Sequence, residues 1–503
     1  MTFTPNNQSG YTKTKTRSTK VSPQSGICSM CTDTCAGTCE IAQSAILGMR
    51  TVYPITTGSN QIASEKDYPL DYSHFNINGR VFGAFGTEET FESANIHNVD
   101  ICREYGSSNK IKMLAPFFLP ALIKLNWKDY FSGAAMAGVS CVIGEGAFEK
   151  DPNLVMQDGK ITSFPWLSDI LESFNKYYRG YGQIILQVNL EDDFAGVTDI
   201  ALEKYDVQAI EIKFGQSAKG TQPVNFLKNI EEAQIKVDRG YIVYPDPYNE
   251  KTITDYKKNV CPNFYSYSRL PLWTEESLKT RITEMRKLGA KNIYFKMAGY
   301  DIADIKKVIK IACDNAIDMI TFDGAGGGSG YSPSKMMNEW SLPTVTLEKI
   351  VCDICRDFEK QGYHIPAITM TGGFSSEDQV FKALALGDNR ITAIGLCRAS
   401  MTAAMTGKTI GEKIKQGQIP KEFEKFGTTV EEIFQDLADL RAIYGCQANG
   451  FPTGAIGVYS YLNRLAFGIR HFGALNRKFD INLWNQTDLI PLTSESRKIL
   501  SEN

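Results

Sequence analysis

From about residue 110 the chain alternates short β-branched or aromatic runs with amphipathic stretches, and does so eight times. The runs are "IKMLAPF" (111–117), "SCVIG" (140–144), "QIILQV" (183–188), "QAIEIK" (208–213), "NIYFKM" (292–297), "IDMITFD" (317–323), "PAITMT" (366–371) and "ITAIGL" (391–396). Between them, stretches such as "WLSDILESFNKYY", "DIADIKKVIKIACDNA", "LEKIVCDICRDFEKQG" and "SEDQVFKALALG" carry apolar residues at helical spacing. Strands that alternate with helices must pair in parallel, and eight such units close on themselves. The expected fold is therefore α/β, a (β/α)8 TIM barrel over residues 105–410. The segment 214–291 is too long for one crossover and is expected to carry an excursion, either a lid or a subunit contact in a homo-oligomer. Residues 411–503 read as a helical C-terminal segment and 28–104 as an N-terminal extension. Residues 1–27, polar and free of acids, read as a flexible tail.

The 54 basic residues are balanced by 57 acidic ones, so no global field favours nucleic acid or an anionic membrane. No apolar run is long enough to span a bilayer, and the start of the chain lacks a secretory apolar segment. A cytoplasmic protein acting on small molecules is the expectation. In that setting "CSMCTDTCAGTC" stands out: Cys28, Cys31, Cys35 and Cys39 place four thiols within twelve residues. Disulfides are not expected in a reducing compartment, and this spacing lets thiolates converge on one centre. An iron–sulfur cluster of the [4Fe-4S] type is the favoured reading, with zinc, no metal or a redox switch as the alternatives. Cys352 and Cys355, on a helical stretch, are read as packing.

In a βα barrel, chemistry gathers where the strands end. The second run opens into "GEGAFEKDP" with Glu145; the third carries Gln187; the fourth ends on Lys213 and opens into "FGQSAKG" with Gln216 and Lys219; the fifth carries Lys296. The sixth ends on Asp323 and opens into a segment in which five of the seven residues 324–330 are glycine. Such a backbone either lies along a flat ligand or serves as a hinge. After the seventh run, Gly372 and Gly373 precede a helix expected to start near Ser375 or Ser376, and after the eighth comes Arg398. Backbone amides, a helix N-terminus and an arginine make a phosphate site, and these are the loops where barrels often place one. Lysines closing apolar strands suit either stabilisation of an anionic ring or binding of a carboxylate; the bland alternative is pairing with Glu145 or Asp323 for stability alone.

Taken in order, these motifs resemble the synthase domain of the glutamate synthases, an FMN-binding barrel. "IGEGAFEKDP" is similar to that family's G-E-G-G-E-D-P loop, and "IKFGQSAKG" to I-K-x-x-Q-G-A-K-P-G. "DGAGGGSGYSP" is similar to D-G-x-E-G-G-T-G-A-S-P of the short archaeal-type members. "TGGFSSEDQVFKALALGDNRITAIG" resembles the family's glycine pair, helix and last strand. The resemblance implies FMN near Lys296, Gly327, Gly328, Gly372 and Gly373; Gln187, Asp323, Gly395 and Arg398, from their places at the strand ends, are expected to complete the cofactor site. It implies a catalytic, substrate-side group of Glu145, Lys213, Gln216 and Lys219. The family reduces 2-iminoglutarate, formed from 2-oxoglutarate and ammonia, to glutamate.

Three departures shape the expectation. About 100 residues precede the barrel, too few for the family's glutaminase domain, so ammonia or a small amine is expected from outside. The loop after Lys219 reads "GTQPVN" in place of P-G-E-G-G-Q-L-P, and Gly326 replaces an acid; both changes fall on the substrate side. The family's cysteine triplet after the last strand is reduced to Cys397, which leaves the N-terminal quartet as the electron relay. No G-x-G-x-x-G follows a strand, so electrons are expected from a ferredoxin or a reductase subunit. Alkylamine transfer on the same flavin barrel, and a non-catalytic electron-transfer or assembly subunit, are the rival readings.

Overall fold

The structure is a computed structural model describing residues 45–46, 66–123, 125–220, 224–260, 263–327, 332 and 334–501. Eight parallel strands form its centre: β1 (Phe117–Leu122), β2 (Ser140–Ile143), β3 (Ile184–Val188), β4 (Ala209–Lys213), β5 (Asn292–Ala298), β6 (Met319–Asp323), β7 (Ala367–Thr371) and β8 (Ile391–Gly395). Each pairs with its neighbour in sequence, and β8 returns to β1, closing the barrel. The outer ring is α1 (Trp127–Ala137), α2 (Trp166–Asn175), α3 (Val197–Lys204), α4 (Glu275–Lys287), α5 (Ile302–Asp314), α6 (Thr344–Lys360), α7 (Glu377–Leu386) and α8 (Arg398–Lys415). A long α9 (Thr453–Leu475) then packs against α8 and α1. Among the described residues no helix is long and apolar enough to cross a membrane.

One strand differs from the expectation. The run at 111–117 is not the first barrel strand: Ile111–Met113 pairs antiparallel with Arg103–Tyr105, and β1 begins where that run ends. Pro120 explains why the true strand is hard to recognise, since a proline lacks the N–H that a ladder needs. The β1–β2 register indeed breaks between Leu119 and Leu122, around this residue. The Arg103–Met113 hairpin instead plugs the N-terminal end of the barrel. Tyr105, Ile111 and Met113 pack on the inward-facing Phe118, Val142, Ile185 and Tyr294. At its tip the Ser107 amide donates to Asp318 at 2.7 Å, at the root of β6.

Between β4 and α4 the excursion folds as a three-stranded antiparallel sheet, with Phe264–Tyr267 between Val224–Leu227 and Ile242–Tyr244. Helices Ile230–Asp238 and Glu250–Lys257 back one face through Ile230, Ala233, Ile253 and Tyr256. It is tied to the barrel by Lys236, whose ammonium donates to Glu149 at 2.7 Å, and by Arg269, whose amide donates to Glu191 at 2.7 Å. Near the chain ends, Phe75–Ile77 pairs antiparallel with Leu489–Pro491, and buried Lys478 meets Asp488 at 2.7 Å.

Candidate active site

A structural barrel fills its interior with branched aliphatic side chains. This one does so only in its lower half. Period-two alternation along the strands turns Gln187, Glu211, Lys213, Lys296, Thr321 and Asp323 inward at the C-terminal end. Gln187, Glu211 and Thr321 are 1% exposed, Lys296 5% and Asp323 9%, so a charged network occupies core positions. Gln187 donates to Glu211 at 2.5 Å, and the Thr321 hydroxyl donates to the other Glu211 oxygen at 3.3 Å. Lys296 lies in register with Lys213 on one side and Thr321 on the other. Burial works against its charge, but Asp323, Glu211 and Glu145 overcome this and hold the ammonium more basic than usual. Burial in turn raises the Glu211 and Asp323 carboxyls, with Lys296 opposing in both cases.

Above this layer is the pair Lys213–Glu145. The Lys213 ammonium donates to Glu145 at 2.5 Å and to the Gln216 side-chain oxygen at 3.1 Å. Burial alone would raise the Glu145 carboxyl; Lys213, Lys219 and Lys296 together bring it well below the usual carboxylate range. The loop holding Gln216 and Lys219 is a tight turn, with the Gly220 amide on the Gln216 carbonyl at 2.9 Å and the Tyr300 hydroxyl on the same carbonyl at 3.1 Å. Asp323 joins the two levels by accepting the Ser217 amide at 3.0 Å. On the other side, Asp192 accepts the Gly146 amide at 3.0 Å and supports the loop bearing Glu145; burial pushes its carboxyl up to about 8. Glu145, Lys213, Lys219, Asn189, Glu191 and Arg269 line one cavity at the barrel mouth.

The glycine loops turn out to face each other. A Cβ on Gly372 would sit 2.5 Å from the Gly324 carbonyl oxygen, and one on Gly373 would sit 3.1 Å from that of Gly326. Much of what crowds this backbone is therefore another glycine backbone. The Thr344 hydroxyl, at the start of α6, donates to the Gly372 carbonyl at 2.8 Å and lies 3.2 Å from that of Ala325, joining the two loops. Gly327 lies beside Gly372, 3.5 Å from its Cα as measured from an added Cβ. Gly395 ends β8 facing inward, where a Cβ would meet Thr371 at 2.7 Å and Pro120 at 2.9 Å. The helix expected after the glycine pair starts where the sequence places it, with Ser376 as its N-cap. The start of α7 is occupied by its own Gln379, which accepts from the Ser375 amide at 2.9 Å, and its first turn holds Glu377 and Asp378. The start of α8 has no side-chain cap and no acid in its first turn, and Arg398 opens it. The favourable pole for a phosphate is thus the β8–α8 junction.

Nearly all the expected site residues within the described structure thus gather at one end of the barrel. Gly328 and the quartet Cys28, Cys31, Cys35 and Cys39 lie outside the described residues. Glu211, Asp192, Thr344 and Arg269 were not foreseen. Glu211 had a signal: it stands two residues before Lys213 in a strand, so the two must share a face.

Among solved structures, the flavin-binding domain of baker's yeast flavocytochrome b2 is 13% identical with a TM-score of 0.45, covering 84% of this chain and 78% of that one. A mandelate oxidase variant with 2-hydroxy-phenylacetamide is 12% identical at 0.42, covering 83% and 86%. A soluble mutant of (S)-mandelate dehydrogenase from Pseudomonas putida is 12% identical at 0.41, covering 84% and 88%. No curated protein sequence matches the chain. Residues 261–406, running from the last excursion strand through β5–β8 into α8, match the family model described as a conserved region in glutamate synthase.

Proposed function

We propose that the protein is an FMN-dependent, glutamate-synthase-like oxidoreductase that reduces an imine formed from a 2-oxo acid, 2-oxoglutarate by preference, and ammonia or a small amine. The observation that carries this reading is the buried polar layer. A barrel serving only as scaffold gains nothing from Gln187, Glu211, Lys296 and Asp323 in its core, because burying charge costs several kcal/mol per ion unless it is fully compensated (roughly 3–5 kcal/mol when one partner is missing).

The residues fit a flavin. The Gln187 side-chain oxygen is buried without a hydrogen-bond partner, as an acceptor waiting for a ring N–H would be. The α8 N-terminus with Arg398 suits a phosphate. Lys296 is the cation suited to an anionic ring edge. Bound there, a reduced flavin supplies the hydride donor for the imine carbon.

The chain's own residues account for the rest. Lys213, held by Glu145 and Gln216, presents its ammonium to the oxo group or the adjacent carboxylate. Glu145 stays ionised beside Lys213 and holds that ammonium in place while the amine adds and water leaves. Lys219, close enough to depress Glu145, adds a second cation for the substrate. The plug at the opposite end excludes water from below. Electrons come from a partner, a ferredoxin or reductase subunit, and the quartet Cys28, Cys31, Cys35 and Cys39 is the assigned iron–sulfur relay.

The test is anaerobic absorbance of the purified protein, reduced and then given 2-oxoglutarate with ammonia or methylamine. Flavin bands that bleach on reduction and return as amino acid forms support the reading, and the better co-substrate distinguishes ammonia from an alkylamine. A preparation with no flavin overturns it. Serine at the four cysteines is expected to leave the flavin in place while abolishing its reduction by the protein donor.

A further inference from the structure

We propose that Arg269, delivered by the excursion, selects a dicarboxylic substrate by binding its distal carboxylate. This inference rests on the substrate-side reading of the cavity given above and names the residue that sets its specificity. Arg269 lines the same cavity as Lys213, Lys219 and Glu145 but comes from the excursion, just after the last strand of the three-stranded sheet. Three contacts fix it. Its backbone amide donates to Glu191 at 2.7 Å, its guanidinium lies 4.7 Å from the centre of the Phe194 ring, and Gly240 leaves room for its other end. Glu191 and Phe194 belong to the short helix Leu190–Phe194 that directly follows β3, so the barrel itself aims this side chain.

What remains incomplete is the guanidinium's hydrogen bonding. Its Nη1 is buried yet has no hydrogen-bond partner, and the nearest carboxylate oxygen, of Glu191, stands at 3.8 Å, an ion-pair distance outside hydrogen-bond reach. A planar cation over an aromatic ring, on a residue that lines a cavity and with one nitrogen left unpaired, is preorganised to receive a carboxylate. Lys213 is already committed to Glu145 and Gln216. On this assignment Lys213 and Lys219 take the reacting end of the substrate and Arg269 its far end. The replacement of the family's acidic position by Gly326 and of its loop by residues 220–225 has a counterpart here, a recognition group supplied from the excursion.

Glutarate and butyrate, which share a chain and differ by one terminal carboxylate, are the probes, titrated calorimetrically into the full-length holoprotein. Wild type is expected to prefer glutarate by about 10- to 100-fold, the size of a charge-assisted hydrogen-bond pair in a confined site. Arg269→Leu should lower glutarate affinity to that of butyrate while leaving butyrate binding unchanged, and Arg269→Lys, which keeps the charge and loses the fork, should recover part of the preference. An unchanged glutarate-to-butyrate ratio in a folded Arg269→Leu or Arg269→Lys protein overturns the assignment, as does a wild type indifferent to the second carboxylate. The readout needs no turnover: an Arg269-dependent glutarate preference in a protein unable to reduce imines would sink the proposed reaction and leave this site standing.

Discussion

Replacing Lys296 with methionine keeps the volume of the side chain and removes its charge from beneath three carboxylates. Glu145 retains Lys213 at 2.5 Å, and Asp323 retains the Ser217 amide at 3.0 Å. Glu211 is left with the neutral Gln187 and Thr321 and only weaker compensation from Lys213, so the loss falls on it. Breaking a buried pair by removing one partner costs about 3–5 kcal/mol. Here the loss has a ceiling, because the variant can protonate Glu211. Against an ordinary glutamate pKa, proton uptake costs about 4 kcal/mol at pH 7 and about 1 kcal/mol at pH 5. The folded variant then holds a proton that the unfolded chain has released, so its stability falls as pH rises, by about 1.4 kcal/mol per pH unit beyond wild type. Urea unfolding followed by tryptophan fluorescence at pH 5 and pH 7 measures this. The Lys296→Met/Glu211→Gln double variant strands no charge and should recover most of the stability at pH 7, with a flat pH response. A loss equal at the two pH values, or a double variant no better than the single, would refute the electrostatic account of the layer.

Three further outcomes follow from particular contacts. Gly372→Ala places a Cβ 2.5 Å from the Gly324 carbonyl at a φ of +127°, so it should destabilise by about 2–4 kcal/mol in thermal melts. Adding Thr344→Ala removes the side-chain contact at 2.7 Å but should not rescue it, because the Gly324 carbonyl still obstructs the Cβ. Asp192 has its carboxyl raised to about 8 in the fold, so wild-type stability should fall as pH climbs from about 4 through 8, by roughly 5–6 kcal/mol at most, and Asp192→Asn should flatten that slope. Tyr72→Phe removes the hydroxyl that donates to Glu348, a carboxylate with no exposed surface whose second oxygen already lacks a partner. It should cost about 1–3 kcal/mol, read by denaturant unfolding.

The barrel was legible because strand and helix periods differ and because the strands are short, apolar and regularly spaced. Seven of the eight strands lie within a residue or two of the runs that announce them. The first was displaced because Pro120 disguises a strand and "IKM" looks like one. At the site, the residues at strand ends could be read directly, since a βα barrel sends them all to one rim. What could not be read was anything arriving from elsewhere in the chain. Thr344 opens α6 and joins two loops that precede it and follow it in sequence, and Arg269 comes from the far side of a three-stranded sheet. Nor does a glycine-rich stretch declare whether its neighbour is a ligand or a second glycine loop, because both demand the same absence of side chains.

The pairing of Phe75–Ile77 with Leu489–Pro491 has a consequence for how the protein is made. A ribosome releases the first of these strands long before the second exists, and β1 likewise waits for β8. Both closures are among the most distant pairings this chain makes, and such contacts form slowly because long loops must be ordered first. Until then Phe75 and Tyr72, both buried in the finished fold, have no permanent cover, and the strand edge invites association with other nascent chains. A chain truncated after α9 should therefore be a poor folder even with every active-site residue in place: it would depend on chaperones during synthesis, and nicking within residues 476–501 should release the N-terminal segment from the barrel.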